Sequence, residues 1–562
     1  MPLGRFLLCL HTHMPYVLDQ GQDWLNEAAA ESYLPILEVL DRLSMEQIRP
    51  CWTIGFTPIL LEQLESPSFH DGFEAYCLAK IDSAVDDRDR FEREGDVWLA
   101  GLAYRWKCSY ERVLDRFRSR WNRSIVGGFK HFQEIGAIEI LGGAATHGYL
   151  PLLGTDESCE AQIWVGVQTY RKRFGVEPRG FWIPECGYRP SCDWSSPVEA
   201  GSKPWRRRST GQLLAPAGLT YFFVDSSLVC GSEPSGSSGR RFAPLAGLSR
   251  DGEYHTAIGN AYESYRVDGG LAVFVRDPET AAKVWSAEIG YPGDPNYLEF
   301  HKRQYPGQLR YWRVSETRDD IARKLPYDPF AAFERIGAHA ADLLTTVRQT
   351  LTRYRDMTGK DGAVVAMYDT ELFGHWWSEG PQFLLEFARL MHRDREVVPV
   401  TGSESLRAVP PTVDIALPEG SWGEGGRHDV WLNDSNRWVW ESLYPAERRL
   451  GRMATEFAAS HARAIVALAA RELILAESSD WPFLIASATS ADYAERRFRD
   501  HLDRFNRIAD LAERANDGSI PPDEIDRIIQ EFRRQDGVFD DLDCRYWAVD
   551  PLAHGEHVHY CP

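Results

Sequence analysis

The chain contains no run of about 18 consecutive apolar residues, so no membrane-spanning helix is expected. Its 10 cysteines are scattered and form no CxxC pair. That pattern argues against a disulfide framework and points to free thiols in a reducing compartment. Positive charge is in deficit: 63 basic side chains face 83 acidic ones, a formal charge of −20. An acidic surface repels nucleic acid and anionic membranes, and leaves a neutral polymer open as substrate. No internal repeat or extended low-complexity segment occurs. The start, MPLGRFLLCLHTHMPY, has one Arg and a short apolar run that leads straight into His11 and His13. Without a small-residue cleavage site, it reads as a first buried strand rather than a secretion signal. The expected location is the cytoplasm.

What is abundant is aromatic: 19 Trp, 23 Tyr and 26 Phe. Several Trp lie in polar, Gly-rich stretches (Trp376, Trp377, Trp422, Trp431). Flat rings in polar loops suit sugars, whose faces are apolar and whose edges are polar.

Short apolar segments alternate with longer amphipathic ones. RFLLCLHTH, PCWTIGF, AIEILGGAATH, RGFWIPE, LTYFFVD and GAVVAMYD read as strands that end in polar residues. Amphipathic stretches such as LNEAAAESYLPILEVLDRL lie between them. This is the pattern of βα units around a parallel sheet or barrel. The polar residues fall after the strands, where such folds carry their sites. A charge-rich helical zone is expected near residues 70–130, and exposed Gly/Ser/Pro/Arg-rich loops at 196–212 and 231–241. Beyond Tyr444 only long helices are expected, giving a catalytic domain over 1–415 and a helical domain over 416–562.

Two acids follow strands in aromatic surroundings: Glu185 in GFWIPECGYRP and Asp369 in MYDTELFGHWWSEGP. A lone Glu after a strand is more often a capping or ion-pair residue. Two such acids can instead divide the cleavage of a sugar acetal, one attacking carbon and the other donating a proton. His11 and His13, two residues apart on a strand, point to one face. They suit a sugar-binding wall, a structural pair or, with His147, a zinc site. Trp285 looks like helical core, Trp431 is as compatible with burial as with exposure, and Asp480 before WPF suits a helix cap. The tail HGEHVHY (His554, His557, His559) is read as solvated.

The segments HTHMPY, EILGGAATHGYLP, FWIPECGYRP, FVRDPETAAKVWSAEIGYPGD, YDTELFGHWWSEGP, GSWGEGGRHDVWLN and ESSDWPFLI together resemble glycoside hydrolase family 57, and within it the 1,4-α-glucan branching enzyme group. The resemblance covers nearly the whole chain. It implies a (β/α)7 barrel with an inserted helical segment and a C-terminal all-helical domain. It implies Glu185 as nucleophile and Asp369 as general acid/base. It places His11, His13, His147, Trp285, Trp422, Trp431 and Asp480 in substrate binding, with no metal and no organic cofactor. The implied substrate is an α-1,4-glucan, acted on by a monomer. An α-amylase or 4-α-glucanotransferase of the same family is the alternative. A metal-dependent deacetylase-like hydrolase using His11, His13 and His147, and a non-catalytic glucan-binding protein, are the remote ones.

The sequence departs from the branching group in one place. There a loop after the strand matching YFFVD covers the site and carries an important Tyr at its tip. Here no Tyr occurs between Asp225 and Glu253, while Phe242 lies near the expected place. Loop 226–253 therefore predicts weaker branching, or more hydrolysis.

Overall fold

The computed structural model describes residues 2–17, 23–231, 257–286, 289–316 and 320–548. Most of loop 226–253, with Phe242, lies outside the described residues, as does the histidine-bearing tail. No helix among the described residues is long and apolar enough to cross a membrane.

Seven parallel strands form the body of one curled, nine-stranded sheet, completed by the short strands Tyr265–Arg266, antiparallel to Ala272–Val275, and Val397–Pro399, parallel to Gly4–Thr12. The seven are β1 (Gly4–Thr12), β2 (Trp52–Phe56), β3 (Ile138–Gly143), β4 (Gly180–Trp182), β5 (Tyr221–Val224), β6 (Ala272–Val275) and β7 (Gly362–Asp369), in the order β7-β1-β2-β3-β4-β5-β6. Both faces are covered, so the strands are almost wholly buried and mostly apolar, as β1 and β7 illustrate. The two end strands meet where the Asp277 N–H donates to the Val365 carbonyl (2.8 Å). No strand ladder closes that gap among the described residues, so the sheet is a curled, partly open version of the expected seven-stranded barrel.

Side-chain alternation divides this sheet into two cores. Leu7, Cys9, Leu141, Trp182, Tyr221, Phe223, Phe274, Val365 and Met367 pack together inside. Their neighbours Phe6, Leu8, Leu10, Phe222, Val224, Val364 and Ala366 face the surrounding helices. The period of two that fills the interior also aims the residues just past each strand. Leu7 and Cys9 lead to His11 and His13, while His147 is placed by the turn that follows β3. Phe223 leads to Asp225, Phe274 to Arg276, and Met367 to Asp369.

The early helical zone is a hairpin of α1 (Pro67–Glu94) and α2 (Val97–Asp115). The left-handed Gly95 (φ 80°) ends α1, and the Asp96 carboxylate caps α2 by accepting from Leu99 N–H. From Arg437 onward the described elements are all helical: Arg437–Glu456, Arg463–Ala476, Asp480–Ser487, Ala491–Asn516 and Pro522–Gln535, then a last helical turn. Buried polar contacts fasten them to the loop and helix that follow β3. Gln162 donates to Glu477 (2.9 Å), Tyr444 OH to the Leu152 carbonyl (2.9 Å) and Gly154 N–H to Glu447 (3.1 Å).

The stretch 196–212 belongs to a two-stranded antiparallel hairpin, Cys192–Trp194 with Trp205–Arg207. It clasps the first C-terminal helix: Arg437 donates to the Val198 carbonyl (2.9 Å) and Arg448 pairs with Glu199 (2.6 Å). Its anchor is the fully buried Arg207, paired with Asp156 (2.8 Å) and flanked by the rings of Trp194 and Trp205, each 4.9 Å away.

Candidate active site

Glu185 sits on a sharp turn. After β4 the chain passes Pro184 and enters the left-handed region at Glu185 (φ 58°) and Cys186 (φ 51°). Non-glycine residues held there cost about 1–3 kcal/mol each and cluster at functional sites. The turn points the carboxylate away from the strand and into two donors. Oε2 accepts from the Trp422 indole N–H (2.7 Å), and Oε1 accepts from the Ser479 hydroxyl (3.0 Å). Backbone bonds hold the Trp422 loop in place: its N–H donates to the Glu185 carbonyl (3.0 Å), while Tyr188 and Gly420 exchange two bonds (2.8 and 3.0 Å).

Asp369 arrives from the opposite end of the sheet, at the tip of β7. The β1–β7 register sets His11 directly beside it. No hydrogen bond from the described residues reaches its carboxyl group. Instead it feels the charges of Arg276 and His13. Burial pushes Glu185 up to about 7 and Asp369 up to about 6. Taken singly, those values leave the last proton on Glu185. The donors argue the reverse, because an indole N–H can only donate and therefore favours a carboxylate at Glu185. Asp369 has no such donor, so we assign it the proton that the pair shares.

Three imidazoles line the floor between the acids. His11 stacks on Trp182 (centroids 4.5 Å apart, 10°), and His13 and His147 stack on one another (4.2 Å, 23°). His147, itself left-handed at φ 61°, meets His11 through the two Nε2 atoms (3.0 Å) and Ser479 through Nδ1 (2.9 Å). Burial, reinforced by the charge of His13, lowers His11 and His147 well below the usual histidine range, so both are neutral. Burial also pulls on His13, but the carboxylate of Asp480 at 2.8 Å raises it overall. In turn Asp480, despite burial, is held down at about 2 by His13. The pair is an imidazolium carboxylate inside the site.

The ligand atoms of His13, His147 and Asp480 lie within 4.8 Å of one another, close enough to ask whether they hold a metal. The two rings are stacked face to face, so their lone pairs lie in separate, nearly parallel planes. A tetrahedral ion needs lone pairs that converge. The nitrogens are already paired with Thr57, Asp480, His11 and Ser479. The donor set does not fit a metal.

The structure thus gathers Glu185, Asp369, His11, His13, His147, Trp422 and Asp480. Trp422 is half-buried rather than an open platform, because its N–H is committed to Glu185 and its edge to Trp182 (5.4 Å, 64°). Trp431 corrects the expectation of a sugar platform. It is 1% exposed and stacked on Tyr149 (4.4 Å, 18°), beneath the Trp422 loop, and so braces that loop instead. Trp285 stands 41% exposed at the end of the helix Pro278–Trp285, and no ring or hydrogen-bond contact joins it to the carboxyl pair among the described residues. Asp480 opens its helix but caps nothing, since its Oδ2 serves His13 and the Ser478 hydroxyl (2.6 Å). Glu371 supports from below: it accepts from His13 N–H (3.1 Å) and Tyr33 OH (2.6 Å).

Three site residues escape the sequence reading. Arg276 donates to Asp225 (3.4 Å) and lies 5.6 Å over the Trp422 ring, while Ser479 links Glu185 to His147. The inward alternation, carried one step past β5 and β6, would have found Asp225 and Arg276. No local signal marks Ser479, which the helical region delivers.

A sequence model described as glycosyl hydrolase family 57 matches residues 7–418, and one described as the C-terminal region of 1,4-α-glucan branching enzyme matches 442–547. A 1,4-α-glucan branching enzyme of Thermococcus kodakarensis is 34% identical over 545 residues, 95% of this chain and 77% of that one. The crystal structure of a family 57 branching enzyme from Pyrococcus horikoshii superposes with a TM-score of 0.87 at 35% identity, covering 100% of this chain and 99% of that one. The α-amylase AmyC of Thermotoga maritima superposes at 0.79 with 30% identity, covering 98% and 100%. A family match over most of the sequence, and relatives above 30% identity along nearly all of it, carry one conclusion: this chain belongs to glycosyl hydrolase family 57.

Proposed function

We propose that the protein is a retaining 1,4-α-glucan branching enzyme, with Glu185 as nucleophile and Asp369 as general acid/base. The observation that carries the roles is the asymmetry of the two carboxyls. Glu185 is gripped at both oxygens by donors, which orients a carboxylate for attack. Asp369, free of donors and raised by burial, is the acid. Asp369 protonates the glycosidic oxygen as Glu185 attacks the anomeric carbon, and the leaving chain departs. Asp369 then takes the proton from the 6-hydroxyl of an acceptor glucan, which attacks the same carbon and releases Glu185 with an α-1,6 link. The neutral His11 and His147 and the charged His13–Asp480 pair meet the sugar hydroxyls. In this reading the enzyme works as a cytoplasmic monomer on amylose-like or glycogen-like chains.

Water in place of the acceptor gives hydrolysis. The structural likeness to an α-amylase and the Tyr-less stretch 226–253 favour this second outcome as a competing activity. Incubation with amylose, scoring linkage type and reducing ends together, separates them. Branching predicts α-1,6 links, and the loop predicts reducing ends alongside. Abundant branches with few reducing ends would reject the loop argument. Glu185→Gln should abolish turnover while retaining fold and glucan binding, and retained turnover would reject the assignment.

A further inference from the structure

The loop that follows Asp369 carries a second exposed feature, which the chemistry above does not use. Trp376 is 51% exposed, although its neighbour Trp377 is buried at 1%. One face of the Trp376 ring is covered by Phe300 (centroids 4.1 Å apart, 26°). Phe300 comes from the irregular segment before helix Pro329–Thr358 and is backed by the guanidinium groups of Arg303 (5.2 Å) and Arg310 (5.7 Å).

The backbone that carries the ring is also fixed. The Trp376 backbone N–H donates to the Glu371 carbonyl (3.2 Å), and Arg310 donates to the His375 carbonyl (2.9 Å) while paired with Glu31 (2.5 Å). Gly374, at φ 119°, lies so close to the Glu31 carbonyl that a Cβ would stand 1.8 Å from it. A rigid aromatic ring loses little freedom on binding. Its surroundings are charged and polar, with His301 72% exposed and paired to Glu299. A face for another protein would be a contiguous apolar patch. A single flat ring among polar groups suits a sugar. Position completes the argument, because Trp376 lies in the loop that follows Asp369, its backbone N–H is bonded to the Glu371 carbonyl, and the Glu371 carboxylate holds the His13 backbone. The platform and Asp369 share one loop at the rim formed by the C-terminal ends of the strands.

We propose that the Trp376–Phe300 stack is a glucan-binding subsite outside the cleavage point, which engages only chains long enough to reach from the carboxyl pair to the rim. The proposal rests on the α-glucan reading above and adds a chain-length determinant to it. Sugar binding is measured by calorimetry on the inert Glu185→Gln protein, with maltoheptaose and maltose as probes. Adding Trp376→Ala should weaken maltoheptaose about tenfold, the effect of removing one buried aromatic contact. Maltose affinity should stay the same, and Trp376→Phe should recover most of the loss. Unchanged maltoheptaose affinity would overturn the proposal. So would equal weakening of both sugars, or a change in sedimentation mass without a change in affinity, which would make the face a protein contact. If the parent Glu185→Gln protein, folded, binds neither sugar, the α-glucan reading falls first and the subsite with it.

Discussion

Trp422→Phe removes a hydrogen bond at Glu185, the proposed nucleophile, and keeps an aromatic ring beneath Arg276. The phenyl ring keeps the contact with Trp182, and the backbone bond from residue 422 to the Glu185 carbonyl is untouched. What is lost is the indole N–H, which donates to Glu185 Oε2 at 2.7 Å. A donor to an ionised group contributes about 1.5–3 kcal/mol, which corresponds to about one to two pKa units at 1.36 kcal/mol per unit. Burial already pushes Glu185 up to about 7, and the Trp422 bond opposes that rise. Without it, the proton shared by the acids moves from Asp369 toward Glu185. The reactive form, with Glu185 ionised and Asp369 protonated, becomes the minority. We expect kcat/KM on amylose to fall about 10- to 100-fold at the optimum. The alkaline limb of the pH profile should move up, because the last proton is now held more tightly. A full pH–rate profile of parent and variant reads both effects. A variant within about twofold of the parent, with an unmoved alkaline limb, would refute the reasoning.

The same burial predicts a pH-dependent stability difference. A carboxyl whose folded pKa is raised keeps its proton longer in the folded state, so stability falls as pH rises from the unfolded value of Asp369 near 3.8 to about 6. Asp369→Asn removes this loss, and its melting temperature should exceed the parent's at about pH 8 but not at about pH 3.5; equal shifts at both would contradict the burial argument. Gly374→Ala should lower stability by at least about 1–3 kcal/mol from backbone conformation alone, beyond the clash with Glu31, as read by denaturant unfolding. Arg207→Leu removes the nearest guanidinium partner of the buried Asp156, which keeps Arg208 (3.3 Å) and Arg189 (3.7 Å), and should cost about 1.5–3 kcal/mol, whereas Arg448→Ala, at an exposed pair, should cost about 1 kcal/mol or less. Comparable losses in the two variants would mean that the hairpin is not anchored through Arg207.

Much of the sheet was legible because each strand is a short apolar run ended by polar residues. Alternation then put His11 and His13 on one face, while His147 and Asp369 were read as following strands. Burial was harder to read. Trp431 and Trp422 lie in glycine-rich stretches that look exposed, yet Tyr149 covers one and Glu185 claims the N–H of the other. Local composition says nothing about a ring supplied from hundreds of residues away.

The sequence alone determined the strands, their inward faces and the two acids, because these follow from a period of two and from residue chemistry within a short window. Only the tertiary structure decided how the acids differ. Their protonation depends on donors, on Trp422 and Ser479 from the far end of the chain, on the charge of Arg276 and on the depth of burial. Those are through-space quantities, set when the curled sheet and the helical region close on one another.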